Sequence, residues 1–226
     1  MDRIPLFPLD VVLFPGMPLP LRIFEPRYHA MLRDCEARGQ GFGVVLIREG
    51  VEVGGDAEPF PIGTLARIDQ RSDHGDVAFI VARGTRRFRI ARTIRERPYL
   101  EGEVAWLPEP EAGDPLHGAE AGHGHQHLPV ELEVAALFEE YLRLLAQLTQ
   151  VEVDAEIRGL LEGQRRASPW AVACAIGGAM LVAPEEKQPI LEAASVHDAL
   201  HHEQALLARE TARLRVLVRS VDARLN

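Results

Sequence analysis

Three runs decide the fold: Ile62-Gly63-Thr64-Leu65-Ala66-Arg67-Ile68-Asp69, Val77-Ala78-Phe79-Ile80-Val81-Ala82 and Phe88-Arg89-Ile90-Ala91-Arg92-Thr93-Ile94. Each is short, apolar or alternating, and punctuated by Asp73-His74-Gly75-Asp76 or Arg83-Gly84, residues suited to hairpin turns. Outward from them, Val11–Phe14, Leu19–Phe24, Phe42–Ile47 and Tyr99–Leu107 read as further strands. One helix interrupts the series. Pro26 suits its first position, Tyr28, Met31, Leu32 and Cys35 recur at helical spacing, and Gly39 can supply a left-handed stop. Residues 1–108 are therefore expected to form a β-barrel or pseudobarrel with one covering helix.

The pattern changes after Leu107. Residues 109–127 are rich in Pro, Gly, Glu and His, cannot bury an apolar face, and read as a linker. From 128 to 226 the apolar period is helical, giving an α+β chain that ends in an α-helical bundle of about five helices. Val130, Val134, Leu137, Phe138, Tyr141, Leu145 and Leu148 share one helix face, and Asp154 can cap a shorter helix ending near Gly163. Ser168-Pro169 opens an apolar helix over 169–182, and Pro184-Glu185-Glu186 opens the next. Ser195 and Asp198 resemble a capping box before a last helix, in which Leu200, Leu207, Leu214 and Val221 repeat every seven residues. That repeat makes a homodimer through the C-terminal helix one expectation.

Composition narrows the function. The 226 residues carry 25 Lys and Arg against 34 Asp and Glu, a net charge of −9, which argues against a nucleic-acid platform built on bulk positive charge. By region the balance is zero over 1–108, −4 over 109–127 and −5 over 128–226. Lys187 is the only lysine, so any mechanism that needs a lysine has one candidate. The two cysteines, Cys35 and Cys174, are far apart in apolar surroundings and read as buried thiols in a reducing compartment. Prolines interrupt every candidate signal segment near Met1, and the longest apolar run, Trp170 to Ala183, is too short to span a bilayer. A cytoplasmic location is expected.

Several stretches together carry a resemblance. Ile4-Pro5-Leu6-Phe7-Pro8-Leu9, Val12-Leu13-Phe14-Pro15-Gly16 and Pro20-Leu21-Arg22-Ile23-Phe24-Glu25-Pro26-Arg27-Tyr28 resemble the N-terminal, substrate-binding domain of the Lon protease family, in its free-standing bacterial form. The likeness continues through Phe42–Leu46, Ile62–Ile68, Arg87–Ile90 and Glu185–Glu192. It implies a PUA-like β-domain followed by a helical bundle, the part of Lon that engages substrates and neighbouring subunits; the partners expected are unfolded or partner polypeptides, with protease or chaperone machinery beside them. It does not imply proteolysis. No G-x-x-x-x-G-K-[ST] loop is present, and Lys187 sits in a Glu-rich first helical turn that favours its charged form, the opposite of what a lysine base needs. No catalytic residue and no cofactor are expected.

The candidate polypeptide-binding residues are Phe14, Pro15, Met17, Pro18, Phe24 and Tyr28. The segment is apolar and locked by proline, so its side chains are expected at a surface, with Met17 as the adaptable element. Packing of Phe14, Phe24 and Tyr28 between the barrel and the helix is the competing reading. The alternative function is RNA binding by Arg86, Arg87, Arg89 and Arg92, within the seven arginines between Arg83 and Arg97. Strand alternation would place Arg87 and Arg89 on an exposed face and Phe88 and Ile90 on a buried one. Two histidine groups offer imidazoles to a metal, but neither is expected to bind one. His117, His123, His125 and His127 lie in a low-complexity linker, and His197, His201 and His202 lack the general-base Glu of a zincin helix.

Overall fold

Pro5 and Pro8 do not stop the first strand. In the computed structural model, which describes residues 1–52, 57–111, 130–149 and 168–225, β1 spans Asp2–Leu9. Its first half runs antiparallel to β7 (Glu101–Trp106), with Ile4 opposite Gly102, and its second half runs parallel to β3 (Phe42–Gly50), with Leu6 opposite Gly43. The other strands are β2 (Pro18–Ile23), β4 (Ala57–Pro59), β5 (Ile62–His74) and β6 (Val77–Ile94). The pairings β1–β7–β6–β5–β3–β1 close a ring, while β2 lies alongside β6. The expected strand at Val11–Phe14 is instead an irregular crossing segment.

The expected turn at Arg83-Gly84 is also absent. β6 runs straight through it, with Ala66 of β5 opposite Gly84. Glycine is required there by close approach: a Cβ on Gly84 would lie 2.3 Å from the Phe14 carbonyl oxygen. Its N–H donates to Met17 O at 3.0 Å, and its own carbonyl accepts from Gly16 N at 2.9 Å. The other expected turn forms, with Gly75 between β5 and β6.

Helix α1 (Pro26–Arg38) follows its local signals. Pro26 begins it, Gly39 at φ 60° ends it, and Tyr28, Met31, Leu32 and Cys35 are its buried face. They pack with Phe7, Leu9, Ile23, Phe42, Ile80 and Tyr99 in one cluster. A second cluster, Ile4, Leu6, Val45, Leu65, Phe88 and Val104, fills the opposite side of the strands, so Val44 and Val45 of β3 serve different cores. Cys35 and Cys174 are buried free thiols, and burial pushes Cys35 up to about 12.

The chain divides into two units, Met1–Glu109 with Met180–Glu192, and Pro110–Ala179 with Ala193–Asn226. The assignment of all of 128–226 to one bundle therefore needs correction. Helix α4 (Pro184–Glu192) belongs with the strands, because the Gln188 amide donates to Ile62 O at 3.0 Å and Leu191 O accepts from Arg87 at 2.7 Å. The second unit contains α2 (Val130–Thr149), α3 (Pro169–Ala179) and α5 (Val196–Leu225). Ser168 caps α3 through the Ala171 N–H, and Ser195 and Asp198 form the reciprocal cap of α5. Along α5, Leu200 and Leu207 are buried, Leu214 is half-buried and Val221 is exposed, so the seven-residue repeat outlasts the core that covers it. The Asp154–Gly163 helix, the linker beyond Glu111 and the His117–His127 group lie outside the described residues. No described helix is long and apolar enough to cross a membrane.

Candidate functional site

The apolar segment after β1 divides into a buried half and a presented half. Leu13 and Phe14 turn inward, and Phe14 is completely buried. Tyr28 is buried as well, its ring centroid 4.0 Å from that of Phe7 and the Arg27 guanidinium 4.6 Å above its face. Burial pushes the Tyr28 hydroxyl up to about 12. Phe14 and Tyr28 are thus core residues and offer no surface, which corrects their assignment to a binding patch. The burial of Phe14 follows from the lacing of Phe14–Met17 onto Gly84, completed by Arg83, which donates to Gly16 O at 3.1 Å and pairs with Asp69 at 2.7 Å, and that of Tyr28 from the packing of α1 on Phe7.

Pro15 and Met17 are half-buried, Pro18 is exposed, and Phe24 is 48% exposed, a large value for a phenylalanine. Met17 rests one side on the core. The pleat extends this surface beyond the expected residues. Ala78, Ile80 and Ala82 of β6 point inward, whereas Phe79 is 46% exposed and Val81 half-buried on the outer face. In the β2–β6 ladder Phe79 lies opposite Arg22, Val81 opposite Pro20 and Arg83 opposite Pro18. The Arg22 guanidinium carbon is 5.7 Å from the Phe24 ring centroid, and His74 meets the Phe79 ring edge-on at 5.8 Å. The result is an apolar strip of Met17, Pro18, Pro20, Phe24, Phe79 and Val81 with a cation beside it. Phe79 and Val81 are discernible in the unbroken apolar run 77–82, which in a strand must put apolar groups on both faces.

Among the described residues β2 pairs with β6 alone. Pro18 and Pro20 carry no N–H, so its open edge lacks two donors and is a poor template for strand addition. What this surface can do is bury side chains.

The arginine set does not form an exposed stripe. Arg87 is 6% exposed and donates to Leu191 O and, at 3.1 Å, to Pro108 O, so it ties α4 to the strands. This corrects the expectation that Arg87 shares an outward face with Arg89. Arg92 is paired with Glu103 at 2.7 Å, Arg86 lies over the Trp106 ring, and Arg89 is exposed. On α5, His197 and His201 touch at 2.9 Å between their Nε2 atoms, while Asp198 is engaged by Ser195. No group of three potential metal ligands occurs among the described residues.

Comparison with known proteins agrees on one family. The family model described as the ATP-dependent protease La (LON) substrate-binding domain matches residues 3–209. Lon protease 2 of Myxococcus xanthus is 28% identical over 192 residues, 84% of this chain and 21% of that protein. The Lon protease of Phenylobacterium zucineum is 28% identical over 221 residues, 95% of this chain and 25% of that protein. The chain thus spans about a fifth to a quarter of the length of these relatives. Among solved structures, the Lon N-terminal domain protein from Xanthomonas campestris is similar with a TM-score of 0.62 and 28% identity, covering 91% of this chain and 98% of that one. The N-terminal domain of the Mycobacterium avium complex Lon protease shares the fold, with a TM-score of 0.60, 24% identity, and coverage of 93% and 98%.

Proposed function

The chain belongs to the family of the Lon substrate-binding domain, and on that premise we propose that it is a non-catalytic module that captures apolar segments of unfolded or partner polypeptides. Its place is cytoplasmic protein quality control, beside protease or chaperone machinery. The strand-rich unit reads as PUA-like and the helical unit as a bundle.

The observation that carries this reading is the exposure of Phe24 and Phe79 beside the β2–β6 ladder. Two half-exposed phenylalanines at one end of the ladder, continued by Val81, Pro20, Pro18 and Met17 along it, are the composition of a surface that gains stability when covered. Apolar capture draws on buried area and survives salt, whereas phosphate contacts weaken steeply as salt rises. A labelled, permanently unfolded polypeptide, titrated by fluorescence anisotropy at low and high salt, should bind saturably at both. Phe24→Asp and Phe79→Asp should each weaken it about tenfold or more with little change in thermal midpoint. Met17→Asp should also abolish binding, but its half-buried side chain makes some loss of stability part of the outcome. Binding that disappears at high salt, or that ignores both phenylalanine variants, would refute the assignment.

Self-association through the last helix belongs to the same reading. Val216, Leu217 and Val221 of α5 are exposed, so a second copy has an apolar surface to cover. A solution mass that stays that of one chain at all concentrations would exclude it.

A further inference from the structure

A second concave surface of the strand-rich unit, about 460 Å³ in volume, is lined by Gln40, Arg67, Arg86 and Trp106. The Arg86 guanidinium carbon lies 3.5 Å from the Trp106 ring centroid, a stacking distance. Trp106 is itself braced edge-on by Phe88, at 6.2 Å between centroids. Stacking restrains one face of the guanidinium and leaves its in-plane N–H groups pointing outward, the geometry that grips a carboxylate with two parallel hydrogen bonds.

The arginines of this unit differ in whether a carboxylate holds them. Arg83, Arg92 and Arg97 have carboxylate partners in Asp69, Glu103 and Asp34. Neither Arg67 nor Arg86 has one among the described residues, and both line this cleft. The side-chain nitrogen of Gln40 is buried there without a hydrogen-bond partner. A buried donor left unmade is costly, and an incoming acceptor removes that cost. Two carboxylate-free cations and a residue with one orphaned donor line the same cleft, a composition that suits an anion. The cleft's own carboxylate, Asp2, already accepts the indole N–H of Trp106, and Arg3 is held by Glu96 and Glu101.

We propose that this cleft binds a carboxylate of the captured polypeptide, with Arg86 as the two-toothed anchor and Arg67 and Gln40 as flanking donors. The identity of the ligand rests on the polypeptide-binding reading; the anion site itself rests on the cleft. A polypeptide source is favoured over nucleic acid because the site is a single concavity on a chain of net charge −9, which repels a long polyanion but not one local carboxylate. Apolar capture at Phe24 and Phe79 would then be joined by a preference for segments carrying Asp, Glu or a terminal carboxylate.

The test uses the whole, isotope-labelled chain and two acetylated, amidated pentapeptides, one with a central Glu between glycines and one with Gln in its place. The Glu peptide should shift the Gln40 side-chain amide and Arg86 Nε–H resonances saturably, and the Gln peptide should not. Arg86→Lys, which keeps the charge but loses the fork, should weaken the Glu peptide about tenfold with the fold intact. Equal response to both peptides, or no response, overturns the proposal, as does a stronger response to a single-stranded oligouridylate. The unfolded-polypeptide titration separates the two readings. If that chain binds and the Glu peptide leaves Arg86 unmoved, only the carboxylate site fails; if the Glu peptide binds and the unfolded chain does not, only general capture fails.

Discussion

Gly84 shows how one residue positions the presented strip. With a Cβ that would stand 2.3 Å from the Phe14 carbonyl oxygen, alanine at this position must push the Phe14–Met17 segment off β6. Both hydrogen bonds of the lacing, to Met17 O and from Gly16 N, would stretch with it. Gly84→Ala should cost about 1–3 kcal/mol of stability, the range for overpacking a close contact, and should weaken polypeptide binding by displacing Met17 and Pro18. Chemical unfolding monitored with the anisotropy assay checks both; a fully stable variant with intact binding would show that the segment does not depend on this contact. In the sequence the same glycine reads as a turn. A glycine that permits close approach and one that permits a reversal look alike until the approaching chain, seventy residues earlier, is known. Phe14 and Tyr28 pose the same problem: their apolar character is legible, but the side to which Phe14 turns is decided by that lacing, and the burial of Tyr28 by the packing of α1 on Phe7.

Helix α4 makes the corresponding point for elements. Its start is written locally, in Pro184-Glu185-Glu186, and it forms as the residues suggest. Its destination is not local. Gln188 meets Ile62 and Leu191 meets Arg87, contacts made across more than a hundred residues. A chain ending at Glu109 therefore keeps every strand but exposes Ile62 and leaves the buried Arg87 guanidinium without the Leu191 carbonyl. Such a fragment should lose about 3–5 kcal/mol relative to the same unit in the full chain, the scale for losing two buried aliphatic side chains, Ile190 and Leu191. Addition of a peptide spanning 180–192 should restore part of its thermal midpoint. A fragment as stable as the full chain would mean that α4 is dispensable to the sheet. The same contrast explains which elements the sequence reveals. α1 is legible because Pro26, the spacing of Tyr28 to Cys35 and Gly39 lie within one short segment. β1 is hidden because Pro5 and Pro8 argue against a strand, and what makes it one are ladders to β3 and β7.

For the whole molecule, the two units carry opposite electrostatic liabilities. In the strand-rich unit the Tyr99 hydroxyl donates to Asp34, and the Arg92 guanidinium holds Glu103, so both carboxyls sit below their ordinary range. A lowered carboxyl contributes stability above the ordinary carboxylate range and loses it as pH falls through that range toward the folded value. In the helical unit Glu203 of α5 is completely buried. Burial pushes its carboxyl well above the usual value, and the Gly177 backbone offsets this only in part. A raised carboxyl works in the other direction: its contribution is full in acid and is lost as pH rises from the ordinary range toward the folded value. One tryptophan lies in each unit, Trp106 with the strands and Trp170 in α3. Single-tryptophan variants, Trp170→Phe and Trp106→Phe, should therefore report opposite slopes. The Trp106 signal should show an unfolding midpoint that falls on acidification from neutral pH, and the Trp170 signal one that rises as pH is lowered from alkaline toward mildly acidic. Glu203→Gln should flatten the second slope and leave the first unchanged. If both signals moved together, with or without that substitution, Glu203 would not be the group that sets the pH response of the helical unit.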